Sequence, residues 1–216
     1  MSAPSLPPDA SGARHIPLVE SARRAAAARW VESRLFAITG AWAASVPLPS
    51  AQVHFAGQSA RHARHAELWR ARIPVLAWVD PDALTAAPSR PVEAVLDRLV
   101  VDVDGDGDGD AGGDGGPGTL PLLAGMSRVV LPRLIVSYQR HRSGCSAVAD
   151  GPVIDTVDLA LSETIADWRW CEGMVQELAV RPHDLAAVHH FVDELERLLV
   201  QVEGVAGLLE PARHGG

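Results

Sequence analysis

Between positions 54 and 65 the chain sets His54, Gln58, His62 and His65 four, four and three residues apart. On a helix those steps put all four on one face, and His62 and His65 can aim both imidazoles at one point. Two imidazoles held that way bind a divalent transition metal once a carboxylate joins them. Glu32 is the first carboxylate to consider, because it lies on the apolar stripe Ala28–Glu32–Leu35–Thr39–Trp42. A carboxylate on such a stripe is costly unless it is paired, hydrogen-bonded or bound to metal. Glu163 and Asp167, one turn apart, interrupt a second apolar stripe that runs from Val153 to Leu178. Tyr138 and His141 continue a third, Leu131–Leu134–Tyr138–His141. The candidate ligand pool is therefore Glu32, His62, His65, Glu163 and Asp167, with Tyr138 as a catalytic donor of a proton or hydrogen bond.

The same residues have ordinary readings. A histidine pair beside Arg61 and Arg64 is often only a polar face. Glu32 can pair with Arg61, Arg64 or His62, and Asp167 with an arginine such as Arg133. Tyr138 can be a core ring, and Trp168 and Trp170 packing residues.

The elements that must position these groups are helices. A helical pattern runs from about Pro17 to Ser45, where Pro47 and Pro49 break it, and Ser50 is placed to cap a second helix reaching about Arg72. Pro74 to Pro91 is mostly connection, and Pro91 to Val101 fits a shorter helix. The Asp/Gly-rich stretch 102–118 cannot pack a core and reads as a mobile loop. Long helices follow over about Leu120–Arg142, Pro152–Leu178 and His183–Leu209, and no run alternates convincingly enough for a strand. The expected organisation is a tail over 1–15, one helical domain over 16–210 and a second tail over 211–216.

The fold class this implies is all-α. "ARWVESRLFAITGAW" followed by "QSARHARHAELW" resembles the first hairpin of the ferritin-like superfamily, and "LSETIADWRW" its second. The resemblance covers most of residues 17–178. It implies a four-helix bundle of two antiparallel hairpins with a long crossover, here extended by a C-terminal helix. It also implies a Glu from the first helix, matched by Glu32, and a carboxylate-x-x-His pair from the second, where His65 matches the histidine. His62 stands in place of the carboxylate, Ala166 follows Glu163 by three, and Tyr138 occupies the third helix's Glu position. The expected site is thus a mixed one. Iron (or manganese or zinc) would be its cofactor and oxidoreductase or oxygenase chemistry on an unknown small-molecule substrate its function. The alternative is a metal-free bundle, an interaction or structural protein that has lost such a site. In that case the fifth helix, with Phe191, Leu195, Leu198 and Leu199, would be a surface for self-association.

Composition narrows the remaining classes. A net charge of −8 argues against a nucleic-acid or anionic-membrane partner. All basic side chains are arginines, which fits a coding bias better than a functional choice. Cys145 and Cys171 form neither a CxxC pair nor a zinc knuckle, so a reducing cytoplasm is expected. Residues 1–14 lack the apolar core of a secretory signal, and no run reaches about 18 consecutive apolar residues. Asp102, Asp104, Asp106 and Gly107 open like a calcium loop, but Gly113 takes the place of its closing glutamate. His189 and His190 are adjacent and point to different faces. No phosphate-binding glycine loop, nucleophile elbow or HExxH occurs. A homodimer is compatible with a bundle of this kind.

Overall fold

The computed structural model describes residues 16–75, 80–100, 118–200 and 208–209. The Asp/Gly-rich stretch and the terminal tails expected from the sequence lie outside them, apart from Gly118. Described residues form helices and no strand. In chain order these are α1 (Leu18–Ser45), α2 (Pro49–Arg70), α3 (Pro81–Leu84), α4 (Arg90–Arg98), α5 (Thr119–Gly125), a π-helical turn (Met126–Val130), α6 (Leu131–Gly144), α7 (Gly151–Leu178) and α8 (Pro182–Val200).

α1 buries an alanine-rich face, Ala22, Ala25, Ala26 and Ala28, continued by Val31, Leu35, Ile38 and Trp42. Small side chains let α2 lie close along it. A Cβ at Gly40 would stand 3.2 Å from Ser59 Oγ, and that hydroxyl donates across the interface to the Phe36 carbonyl at 3.0 Å. The link between the two helices is short, so they form an antiparallel hairpin, the most extensive helix pair in the chain. α6 and α7 make a second hairpin, and α2 meets α7 between them. Their apolar faces share one interior in which Trp42, Trp69, Phe55, Leu134 and Tyr138 are the bulky members.

The connection from α2 to α5 is partly helical. Asp80 caps α3 by accepting from the Asp82 N–H, and Ser89 caps α4 by accepting from the Val92 N–H. α4 buries Val92, Val95 and Leu96, and Trp42 Nε1 donates to the Leu99 carbonyl at 3.0 Å. This anchors the crossover to α1. The sequence pattern left Pro81–Leu84 as connection, because a four-residue helix offers too few positions for a period to show.

Of the α8 residues that the metal-free alternative would use for self-association, Leu198 is only partly buried. Phe191, Leu195 and Leu199 are buried, and α8 packs on α4 and α5. Gly125 lets it approach, since a Cβ there would come within 2.8 Å of Phe191 and 2.9 Å of Leu195. The Arg98–Glu194 and Arg133–Glu196 pairs flank the contact. Arg133 is thereby committed to α8 and does not serve Asp167.

Thr119–Gly144 is one continuous 26-residue helical run with a mean hydropathy of 1.4 over its most apolar window, enough by length and composition to cross a membrane. More than half of that window, 56%, is buried inside the bundle, so its apolarity is accounted for by packing. The π turn precedes Pro132, which lacks an N–H and whose ring would strike the carbonyl four residues back in a regular helix. Widening the turn accommodates it.

Candidate metal centre

α2 turns one face inward along its length. Phe55, Gln58, His62, His65 and Trp69 are buried on it, His62 and His65 at 1% exposure each. Across the first hairpin, α1 supplies Glu32, fully buried between Ala28 and Leu35. Its Oε2 lies 2.5 Å from His62 Nδ1 and its Oε1 3.4 Å from His65 Nδ1. The second of these is an ion-pair distance without the alignment of a hydrogen bond. From α6 the Tyr138 hydroxyl donates to Glu32 Oε1, and it accepts from Trp69 Nε1 at 3.3 Å. Trp69 in turn stacks on Tyr138 and on His141, with ring centroids 5.8 and 5.4 Å apart.

Glu32, His62 and His65 form a buried group that can hold a metal ion, with one ligand atom from each lying within 4.8 Å of the others. One carboxylate oxygen and two imidazole nitrogens suit zinc, iron or manganese. Two atoms of the group support this: His62 Nε2 and His65 Nδ1 are buried and have no hydrogen-bond partner among the described residues. The residues present therefore fit a metal.

Of the remaining carboxylate candidates, both on α7, Glu163 is partly exposed and Asp167 is buried. Glu163 reaches His65 Nε2 at 2.7 Å, but Arg64 grips both of its carboxylate oxygens. Asp167 is held by Arg61 through two nitrogens, Nε donating to Oδ2 and Nη2 to Oδ1, and lies 3.5 Å from His54 Nε2. Neither joins the compact group of three. The repeat Arg61-His62-Ala63-Arg64-His65 accounts for this division. Each arginine precedes its histidine by one position, about 100° around the helix. As the histidines face α1, the arginines reach the carboxylates of α7.

The electrostatics follow from burial and these partners. Burial pushes the Glu32 carboxyl up, but the charge and hydrogen bond of His62, followed by His65, outweigh it and pull it down to about 2. Burial lowers His65, yet the nearby Glu32 carboxylate and then the hydrogen bond and charge of Glu163 raise it above its usual value. Tyr138 is driven well above the usual tyrosine range, first by burial and then by the Glu32 charge, so its hydroxyl stays protonated. Glu163 is pushed up by burial but held below the usual carboxylate range by Arg64 and His65.

Among the described residues, several interior polar groups that the sequence placed on these faces, but that lay outside the ligand pool, lack hydrogen-bond partners. Gln58 is buried with neither amide atom partnered. His141, stacked on Trp69, is also buried with both ring nitrogens unpartnered, and burial above all depresses it to about 4. His54 stacks on Trp170, centroids 3.7 Å apart, and burial lowers it to about 4. The spacing of Gln58 and His54 relative to His62 carried a signal, but that spacing is equally that of a polar stripe facing water. Compared with known proteins, no family model, curated protein or solved structure matches the chain.

Proposed function

We propose that the chain is a ferritin-like, metal-dependent oxidoreductase or oxygenase in which Glu32, His62 and His65 hold a single divalent ion, iron first among the metals. The observation that carries the reading is the convergence of these three side chains, each at most 1% exposed, on one interior point. Two hairpins joined by a long connection support the ferritin-like topology. A bound iron would supply one-electron chemistry toward dioxygen or a peroxide, with open positions on the metal because the protein offers only three ligands.

The chain's own residues have definable parts in that chemistry. Glu32 supplies the anionic oxygen and holds both histidines in place. Tyr138 keeps its proton and directs it at Glu32 Oε1, which fixes the orientation of the carboxylate. Arg64 and Arg61 neutralise Glu163 and Asp167 and keep a second anionic pair from entering the site. Full burial of the three ligands limits the substrate to a molecule of a few atoms.

One observation favours the second reading, a metal-free bundle. Every carboxylate near the group already has a polar partner, Glu32 in His62, Glu163 in Arg64 and Asp167 in Arg61. Oxygen uptake separates the two. The protein is loaded anaerobically with Fe²⁺, then exposed to oxygen in an electrode cell beside a folded His62→Ala/His65→Ala variant. Iron-dependent uptake faster than the variant's supports the oxidoreductase. Uptake equal to the variant's contradicts it.

A further inference from the structure

Along the inward face of α2, four buried polar atoms in sequence have no hydrogen-bond partner among the described residues: His54 Nε2, both amide atoms of Gln58, and His62 Nε2. They occur at four-residue steps, so each residue stands about 6 Å from the next along the helix axis. That is the span of two hydrogen bonds made through one water molecule. The row begins at His54, whose side chain is 12% exposed beside Asp167. It ends at His62, whose other ring nitrogen binds Glu32.

Other interior groups do not supply the missing partners. The buried hydroxyls of Thr39 and Thr164 donate within their own helices, to the Leu35 and Ala160 carbonyls. Arg61, which approaches Asp167, directs its Nε and Nη2 to that carboxylate. A single unpaired buried polar atom is tolerable, whereas a row on one helix face is not, because each forfeits its hydration on folding. Polar interior positions with several such atoms are where proteins hold structural water.

We propose that His54, Gln58 and His62 line an internal water-binding file that joins the Glu32–His62–His65 group to solvent at the α2–α7 surface. Gln58 is its central residue, because its amide can both donate to and accept from a water on either side. The file itself does not depend on metal. Its consequence, a solvent route to a metal-bound centre, rests on the function proposed above.

The test uses the full-length, metal-free protein, so its outcome is independent of whether metal binds. Water-selective NMR would look for cross-relaxation between bulk-exchanging water and the side-chain protons of Gln58 and His62. Cross-peaks at both residues are expected. In the Gln58→Leu variant, which keeps the size and removes both polar atoms, exchange of the His62 ring N–H with solvent should slow at least tenfold. Absence of water cross-peaks at Gln58 and His62 in the wild-type protein would overturn the proposal, and this arm stands even if the variant does not fold. A folded Gln58→Leu variant with unchanged exchange at His62 would overturn it as well.

Discussion

Glu32 sits where one first-hairpin carboxylate meets His62, His65 and the Tyr138 hydroxyl, and removing it strands all three partners in the interior. Breaking a buried charge pair from one side costs about 3–5 kcal/mol. Glu32→Ala should therefore lower the unfolding free energy of the metal-free protein by that amount, read from urea denaturation. Tyr138→Phe, which loses one donor to a carboxylate and one acceptor for Trp69, should cost about 1–3 kcal/mol in the same assay. Acid provides a second residue-level expectation. His54 and His141 are both depressed to about 4 when folded, against about 6.5 in an unfolded chain. Between those values the unfolded state binds more protons, so the stability is full above about pH 6.5 and is lost as pH falls toward 4. His65, raised in the folded state, contributes in the opposite sense, its share present at low pH and lost as pH rises through its folded value. Melting temperature followed across pH 7 to 4 should decline, and His141→Phe, which keeps the ring on Trp69, should flatten that decline. A flat wild-type profile would refute the assignment of neutral buried imidazoles. Of these residues, Glu32 and Tyr138 could be singled out in the sequence because each lies on an apolar stripe, and His62 and His65 because their three-residue spacing puts both imidazoles on one face. What decides between ligand and ion pair, the arginine one position ahead of each histidine, could not be read without knowing which helix it faces.

At the scale of elements, periodicity placed the long helices to within a few residues at each end that the structure describes, because each carries a continuous apolar stripe. It did not find the π turn ahead of Pro132, since a one-residue widening leaves the apolar spacing nearly unchanged. Nor did it foresee that α8 covers α4 and α5. An apolar face looks the same whether its partner lies within the chain or on another one. The packing makes opposite demands at two glycines. Gly125→Ala would press a methyl onto Phe191 and Leu195 and should destabilise by about 1–3 kcal/mol. Gly173, in the interior of α7, should behave in the reverse way, because a methyl added there would meet nothing within 4 Å. Gly173→Ala is expected to add about 0.5–1 kcal/mol by helix propensity. Equal effects at the two sites, measured by chemical denaturation, would mean that α8 does not seat on Gly125.

The whole molecule is a helical scaffold that devotes its centre to polar groups. α1, α2 and α6 place Glu32, His62, His65 and Tyr138 at their common interface, while α7 contributes two carboxylates, Glu163 and Asp167, locked to arginines. Such a centre is hard to reconcile with packing alone, because an apolar core of the same volume would be as stable or more so. If the group binds metal, folding and binding are coupled, and a ligand at a hundred times its dissociation constant adds about 2.7 kcal/mol of stability. The most direct test is metal content by elemental analysis of protein purified without a chelating tag, beside a folded His62→Ala/His65→Ala variant. About one equivalent of iron, manganese or zinc per chain is expected, lost in the variant together with the metal-dependent rise in melting temperature. No metal in the wild-type protein, even after anaerobic reconstitution with Fe²⁺, would contradict the metal centre and leave Glu32, His62 and His65 as an interior ion-paired cluster.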